Sequence, residues 1–256
     1  MIDDYIININ GITKYFGNIR AINNLSLKIP KEITFGLIGP NGAGKTTLIR
    51  ILNCIYETEE GTAFVSGYDI KKNKNKIKKI CGLLPQTPGI YNKLTAKEFL
   101  EFVGELYHLS KNVISSRIDK FLKMFNLKER ENDLLEGFSR GMQQKIAFSA
   151  ALIHDPQIVF LDEPTSNLDP TSSRIVKDFI HMLSEKTNKT IFISTNSLND
   201  AEELCDIIGI INKGVIQVIG TPESIIKNAS AKNLEDVYLN IVGKPQSIEF
   251  LDWNKL

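Results

Sequence analysis

The sequence predicts an α/β fold: a mainly parallel sheet, an N-terminal antiparallel β subdomain and an inserted helical subdomain. Apolar runs at 33–40, 157–164, 190–196 and 207–212 are unalternating and rich in Ile, Val and Phe. That is the pattern of strands covered on both faces. Helical segments separate them, TTLIRILNCIY after the first run and SSRIVKDFIHMLSE after the second. Strands alternating with helices call for crossover connections and hence a parallel sheet.

The elements follow in order. The opening 30 residues, with INGITKYFG and AINNLSLKI, read as short antiparallel strands joined by turns. From about residue 88 to 155 the pattern turns helical. Thr95 and Glu98 are spaced as a capping box, and Phe99, Phe102, Val103 and Leu106 share one helical face. Helices at 111–127 and 141–154 complete this insert. After Gly220 come two short helices, TPESIIKN and NLEDVYLNIVG. Residues 1–220 therefore read as one domain with the insert at 88–155, and 221–256 as a short helical tail. No internal repeat or low-complexity linker interrupts them.

The 256 residues, 42% hydrophobic and 24% charged, are enough for one large domain. Lys plus Arg number 31 against 30 Asp plus Glu, and this balance argues against a nucleic-acid partner. The basic run KKNKNKIKKI at 71–80 reads as a solvated loop and helix face. Cys54, Cys81 and Cys205 lack metal-ligand spacing and read as reduced, buried small hydrophobes. MIDDYIININ has no basic region before an apolar stretch, so no signal peptide is expected. No apolar run approaches the roughly 18–20 residues that span a bilayer. A soluble chain is expected, with any membrane role supplied by a partner.

The chemistry begins at GPNGAGKTT, which satisfies G-x-x-x-x-G-K-[ST] between a strand and a helix. The fold class is accordingly a P-loop NTPase core. Gly39, Pro40, Asn41, Gly42, Ala43 and Gly44 let the backbone curl so that N–H groups point at phosphate oxygens. Lys45 faces the β and γ phosphates of ATP, Thr46 holds Mg2+, and Thr47 continues the cradle. Asp162 and Glu163 close the second strong strand, where α/β sheets bind ligands. Asp162 supports Mg2+ through water, and Glu163 orients or deprotonates the attacking water.

Three further stretches extend the set: Gln86 in CGLLPQTPGIY, FSRGMQQK at 138–145 and SNLDP at 166–170. With the P-loop and the two acids, they resemble the ordered motifs of ABC-type ATPases, the nucleotide-binding subunits of ABC transporters. The resemblance covers nearly the whole chain. It implies a head-to-tail pair of ATPase subunits, identical or different, sandwiching two ATP molecules. It also implies a separately encoded transmembrane permease, which would place the chain at the cytoplasmic face of the membrane. Phe16 matches the aromatic that stacks on adenine, with neighbouring Tyr15 as the alternative. Gln86 matches the residue that reaches Mg2+ and the attacking water. Ser139 and Gly141 match the signature that contacts the other subunit's γ-phosphate, and Asp169 lies in the loop between the two sites.

Two departures stand out. The usual L-S-G-G-Q is here F-S-R-G-M, similar to the variant signature of exporter ATPases. Arg140 either adds charge near that phosphate or faces solvent. The tail NLEDVYLNIVG also resembles the L-E-x-V-F-L ending of such exporters. At 192–196 the family's I-S-T-H is I-S-T-N, so Asn196 aligns with the histidine that contacts the γ-phosphate. Asparagine donates from its amide but is shorter and does not titrate. It either slows hydrolysis or merely caps the following helix. The readings are thus an exporter ATPase and a slow, nucleotide-gated regulatory module. A third, a soluble ABC protein of ribosomes or cluster assembly, fits less well, since ribosomal members usually carry two such domains.

Overall fold

A computed structural model describes residues 5–243. Strands β1 (Tyr5–Phe16) and β2 (Ile19–Pro30) pair antiparallel, joined further on by β4 (Glu60–Val65) and β5 (Tyr68–Asp69) in the order β2-β1-β4-β5. The second sheet holds β3 (Thr34–Ile38), β6 (Cys81–Leu84), β7 (Ile158–Asp162), β8 (Thr190–Thr195), β9 (Ile207–Asn212) and β10 (Val215–Gly220). Its order is β10-β9-β3-β8-β7-β6, parallel throughout except for the β10 edge.

Every residue of β3, β7 and β8 is buried, because both faces of this sheet are covered. Phe35, Phe160 and Phe192 point to one side, their ring centroids 5.2 and 5.5 Å apart along the row. They pack against the inward residues of β1 and β2 and against α1 (Lys45–Leu52). Val159, Leu161, Ile191 and Ile193 point the other way, into a core built from helices. Those helices are α3 (Ala96–Leu106), α4 (Lys111–Met124), α5 (Arg140–Leu152) and α6 (Pro170–Lys186). α7 (Leu198–Leu204), α8 (Pro222–Asn228) and α9 (Leu234–Val242) follow, and residues 244–256 of the expected tail lie outside the described residues.

β4, β6 and β10 are strands beyond those expected from the sequence. β6 has four residues before Pro85, too few for a periodic signal, and β10 lies half-exposed at the sheet edge. The basic run becomes α2 (Lys74–Ile80), which buries only Ile77. Cys81 and Cys205 are buried, and burial pushes both thiols up; Cys54 is half-exposed instead. Among the described residues no helix is long and apolar enough to cross a membrane.

The apolar face expected on α3 is rotated. Leu106 and Phe102 are 61% and 39% exposed, while Ala96, Phe99, Leu100 and Gly104 face inward. Gly104 lets α4 approach so closely that a Cβ there would fall 2.8 Å from Ile114 Cγ1. The capping box forms as expected. Glu98 N–H donates to Thr95 Oγ1 at 3.1 Å, and Thr95 N–H donates to Glu98 Oε2 at 2.8 Å. Thr95→Ala is expected to lower stability by about 1 kcal/mol and the thermal midpoint by about 2–4 °C, with Thr95→Ser close to wild type by calorimetry.

Candidate active site

The loop from Gly39 to Gly44 leaves the buried end of β3 and opens α1. Gly42 (φ 81°) and Gly44 (φ 111°) adopt backbone angles that a side chain would strain. A Cβ on Gly39 would lie 2.3 Å from the Ile211 carbonyl oxygen, and one on Gly44 2.7 Å from that of Ala21. The loop is also bonded from outside. Gly214 N–H, in the β9–β10 turn, donates to Ala43 O at 2.9 Å, and Asn23 N–H donates to Gly214 O at 3.0 Å. No side chain caps α1, in contrast to α5, α6 and α7, which Ser139, Asp169 and Ser197 cap. The first N–H groups of α1 thus suit the oxygens of a bound phosphate.

Residues 40–42 and 44–47, with Ala21, Gln86 and Glu163, line one cavity of about 370 Å³. Lys45 is buried in its wall, its Nζ donating to Gly39 O at 2.7 Å and lying 3.5 Å from Glu163 Oε1. Thr46 Oγ1 donates to Asp162 Oδ1 at 3.1 Å, and Ser194 Oγ donates to the same oxygen. A hydroxyl and a carboxylate side by side at the cradle's floor fit a hard cation that keeps its remaining ligands from phosphate and water. Mg2+ at Thr46 and Asp162 would offset the negative charge of the phosphates.

Glu163 is the most unusual residue here. Its φ is 52°, a left-handed conformation rare for a residue with a Cβ. Its own N–H donates to Ser194 O at 2.9 Å, and its carboxylate accepts from Asn196 N–H at 3.4 Å. Burial pushes its carboxyl pKa up, with Lys45 pulling the other way. The result is a desolvated carboxylate at the mouth of the phosphate cradle.

Asn196 contributes its backbone, not its side chain, to that contact. The side chain is exposed, and the capping alternative is overturned: Ser197 Oγ accepts from Asp200 N–H at 3.2 Å and caps α7. Gln86 borders a second, polar cavity that Arg140, Asn167 and Leu168 also line. Ser139, Arg140, Gly141 and Asp169 stay out of the phosphate cavity of their own chain. Ser139 and Arg140 are exposed at the start of α5. Gly141 packs against α6, where a Cβ would fall 2.4 Å from Ser172 Oγ. Asp169 accepts from Ser172 N–H at 3.0 Å, and hydrogen bonds from Ser172 hold its carboxyl below the ordinary value. Phe16 is 42% exposed, its ring edge-on to Tyr56 at 5.2 Å; Tyr15 lies under the Arg20 guanidinium.

A family model described as ABC transporter matches residues 22–166, from β2 through Glu163. The chain belongs to the ABC transporter family, as an ATP-binding domain. The ABC transporter ATP-binding protein NatA of Bacillus subtilis is 37% identical over 223 residues, 87% of this chain and 90% of its own. The daunorubicin resistance ATP-binding protein DrrA3 of Streptomyces coeruleorubidus is 31% identical, over 94% of this chain and 76% of its own. A solved ATP-binding subunit of an ABC transporter superposes with a TM-score of 0.84 at 25% identity, over 92% of this chain and 99% of that one. A dimeric ATP-binding cassette with ADP and Pi bound gives 0.76 at 25% identity, over 84% and 98%. Relatives of this kind are ATPases in general.

Two contributors to this ABC site, Ser194 and Ala21, carry no motif of their own. Ser194 meets Asp162 because β7 and β8 pair in parallel with those two residues in register. Ala21 reaches the cradle because β2 runs past Gly44 and Gly214, both held against its carbonyl oxygen. Neither contact has a local signal, since register between distant strands is a tertiary property.

Proposed function

We propose that this ABC ATP-binding domain hydrolyses ATP to energise a separately encoded transmembrane exporter, working as a head-to-tail dimer at the cytoplasmic face of the membrane. The observation that carries the hydrolysis is the placement of Glu163. Its carboxylate is buried between Lys45 and the Asn196 N–H, beside the Thr46–Asp162 pair.

In this reading the P-loop N–H groups and Lys45 bind the phosphates, and Thr46 and Asp162 hold Mg2+, with Gln86 at its edge. Glu163 takes the proton of the attacking water as its oxygen bonds to the γ-phosphorus and the bond to ADP breaks. Phe16, exposed and backed by Tyr56, stacks on adenine. Asn196 donates its side-chain amide toward the γ-phosphate.

Dimerisation follows from what one chain lacks. Ser139 and Arg140 are exposed at a helix start that, with the buried Gly141 behind them, stays out of its own cradle, which supports their serving the partner's nucleotide. Asp169 sits between the two sites. The domain itself comprises residues 1–220, with 88–155 as its helical insert, and 221–256 form the tail. Export is the favoured direction because relatives named for daunorubicin resistance, linearmycin resistance and bacitracin transport align with this sequence over most of its length.

Sedimentation velocity tests the assembly. The chain is expected to run as a monomer without nucleotide and as a dimer with ATP in EDTA, where hydrolysis is blocked. Ser139→Arg should remain monomeric in both. A wild-type monomer at saturating ATP would remove the sandwich from this reading.

A further inference from the structure

A charge cluster centred on the buried Asp200 ties the chain just after Glu163 to the helix just after Asn196. Thr165 Oγ1 donates to Asp200 Oδ2 at 2.5 Å, and Lys177 Nζ, from α6, lies 2.6 Å from Asp200 Oδ1. Lys177 also reaches Glu203 Oε2 at 2.8 Å. Asp200 is 8% exposed, and its own N–H is bonded to the Ser197 cap. One carboxylate therefore joins the turn carrying Glu163, the body of α6 and the first turn of α7. A buried carboxylate is tolerated only when paired and fully bonded, and here both oxygens are engaged.

The arrangement matters because of what it flanks. Glu163 holds a left-handed backbone, which costs about 1 kcal/mol or more and persists only when its surroundings over-determine it. Its carboxylate meets the Asn196 N–H at 3.4 Å. Thr165 lies two residues beyond one end of that contact, and Asp200 four beyond the other.

We propose that Asp200 is a positioning residue for hydrolysis: through Thr165 it locks the Glu163 turn to the Asn196 turn, keeping the Glu163 carboxylate on the attacking water. Asp200 lies outside the lining of the phosphate cavity, so its effect is on geometry alone. The inference rests on Glu163 being the base.

The test uses the full chain with Thr165→Val, Thr165→Ser and Asp200→Asn, reading kcat, KM for ATP and the thermal midpoint. Thr165→Val and Asp200→Asn are each expected to lower kcat about tenfold with KM within about twofold. Thr165→Ser should restore turnover, since it keeps the donor. The double variant Thr165→Val with Asp200→Asn should be no slower than the slower single, because both break one link. If Asp200→Asn fails to fold, the Thr165 pair decides alone. Wild-type kcat in Thr165→Val, or equal slowing by Val and Ser, would overturn the proposal. Wild-type protein without ATPase activity, or Glu163→Gln at full rate, would remove the base assignment and this proposal together. Turnover that depends on Glu163 but ignores Thr165 would sink the positioning role only.

Discussion

Glu163→Gln is expected to leave ATP binding within about twofold of wild type and to lower turnover by about 10³, within the range a positioned general base supplies. Gln keeps the shape and the acceptor oxygen facing the Asn196 N–H but loses the ability to take a proton. Misfolding can be separated from this loss. The raised pKa means that the fold favours the neutral carboxyl over the ionised one. Such a group adds stability below its unfolded pKa and loses it as pH rises through the folded value. At neutral pH the ionised Glu163 is therefore a net burden on the nucleotide-free fold, and the variant's thermal midpoint should be no lower than wild type. The same shift sets the acid limb of the wild-type rate. The base must be ionised to work, so kcat/KM, which reports the nucleotide-free enzyme, should decline on acidification with an inflection above 4.5, the ordinary value. An inflection at or below that value, or a variant retaining more than about a tenth of wild-type kcat, would count against Glu163.

Asn196→His is expected to raise kcat by one to two orders of magnitude, since one well-placed transition-state donor is worth about 10²–10³ and asparagine supplies part of it. The backbone leaves room for this. The existing contact to Glu163 is made by the residue-196 N–H, and the Asn196 side chain is exposed and takes no part in capping α7. Imidazole is longer and projects its Nε2–H further from the same Cα. Steady-state ATPase assays at saturating ATP decide it: an unchanged or lower kcat would mean that asparagine already does the histidine's work. A gain confined to KM would place the side chain on ground-state binding instead.

Much of this site was legible because its signals are local. Gly39–Thr47 announces itself in nine residues, and Asp162 and Glu163 are marked by the apolar strand they end. The four buried strands were visible for the same reason, as short unalternating runs. Contacts set by register were not. Ser194 meets Asp162, and Ala21 meets Gly44 and Gly214, only after distant segments pair. Asn196 shows the limit at finer grain. A polar residue after a strand fits either a cap or a site, and the cap lies one position later, at Ser197. On α3 the apolar stripe carried several registers at once, and packing of Gly104 on Ile114 selected one.

The cradle's outside bonds have a consequence for binding. Gly39 and Gly44 abut the carbonyl oxygens of Ile211 and Ala21, and the Ala43 carbonyl is pinned by Gly214. A glycine-rich loop left free would surrender conformational entropy each time a ligand ordered it. Here that disorder has been removed when the chain folds, by the β9–β10 turn and the edge of β2. Nucleotide meets a receptor ordered in advance, and none of its binding energy is spent on ordering the loop.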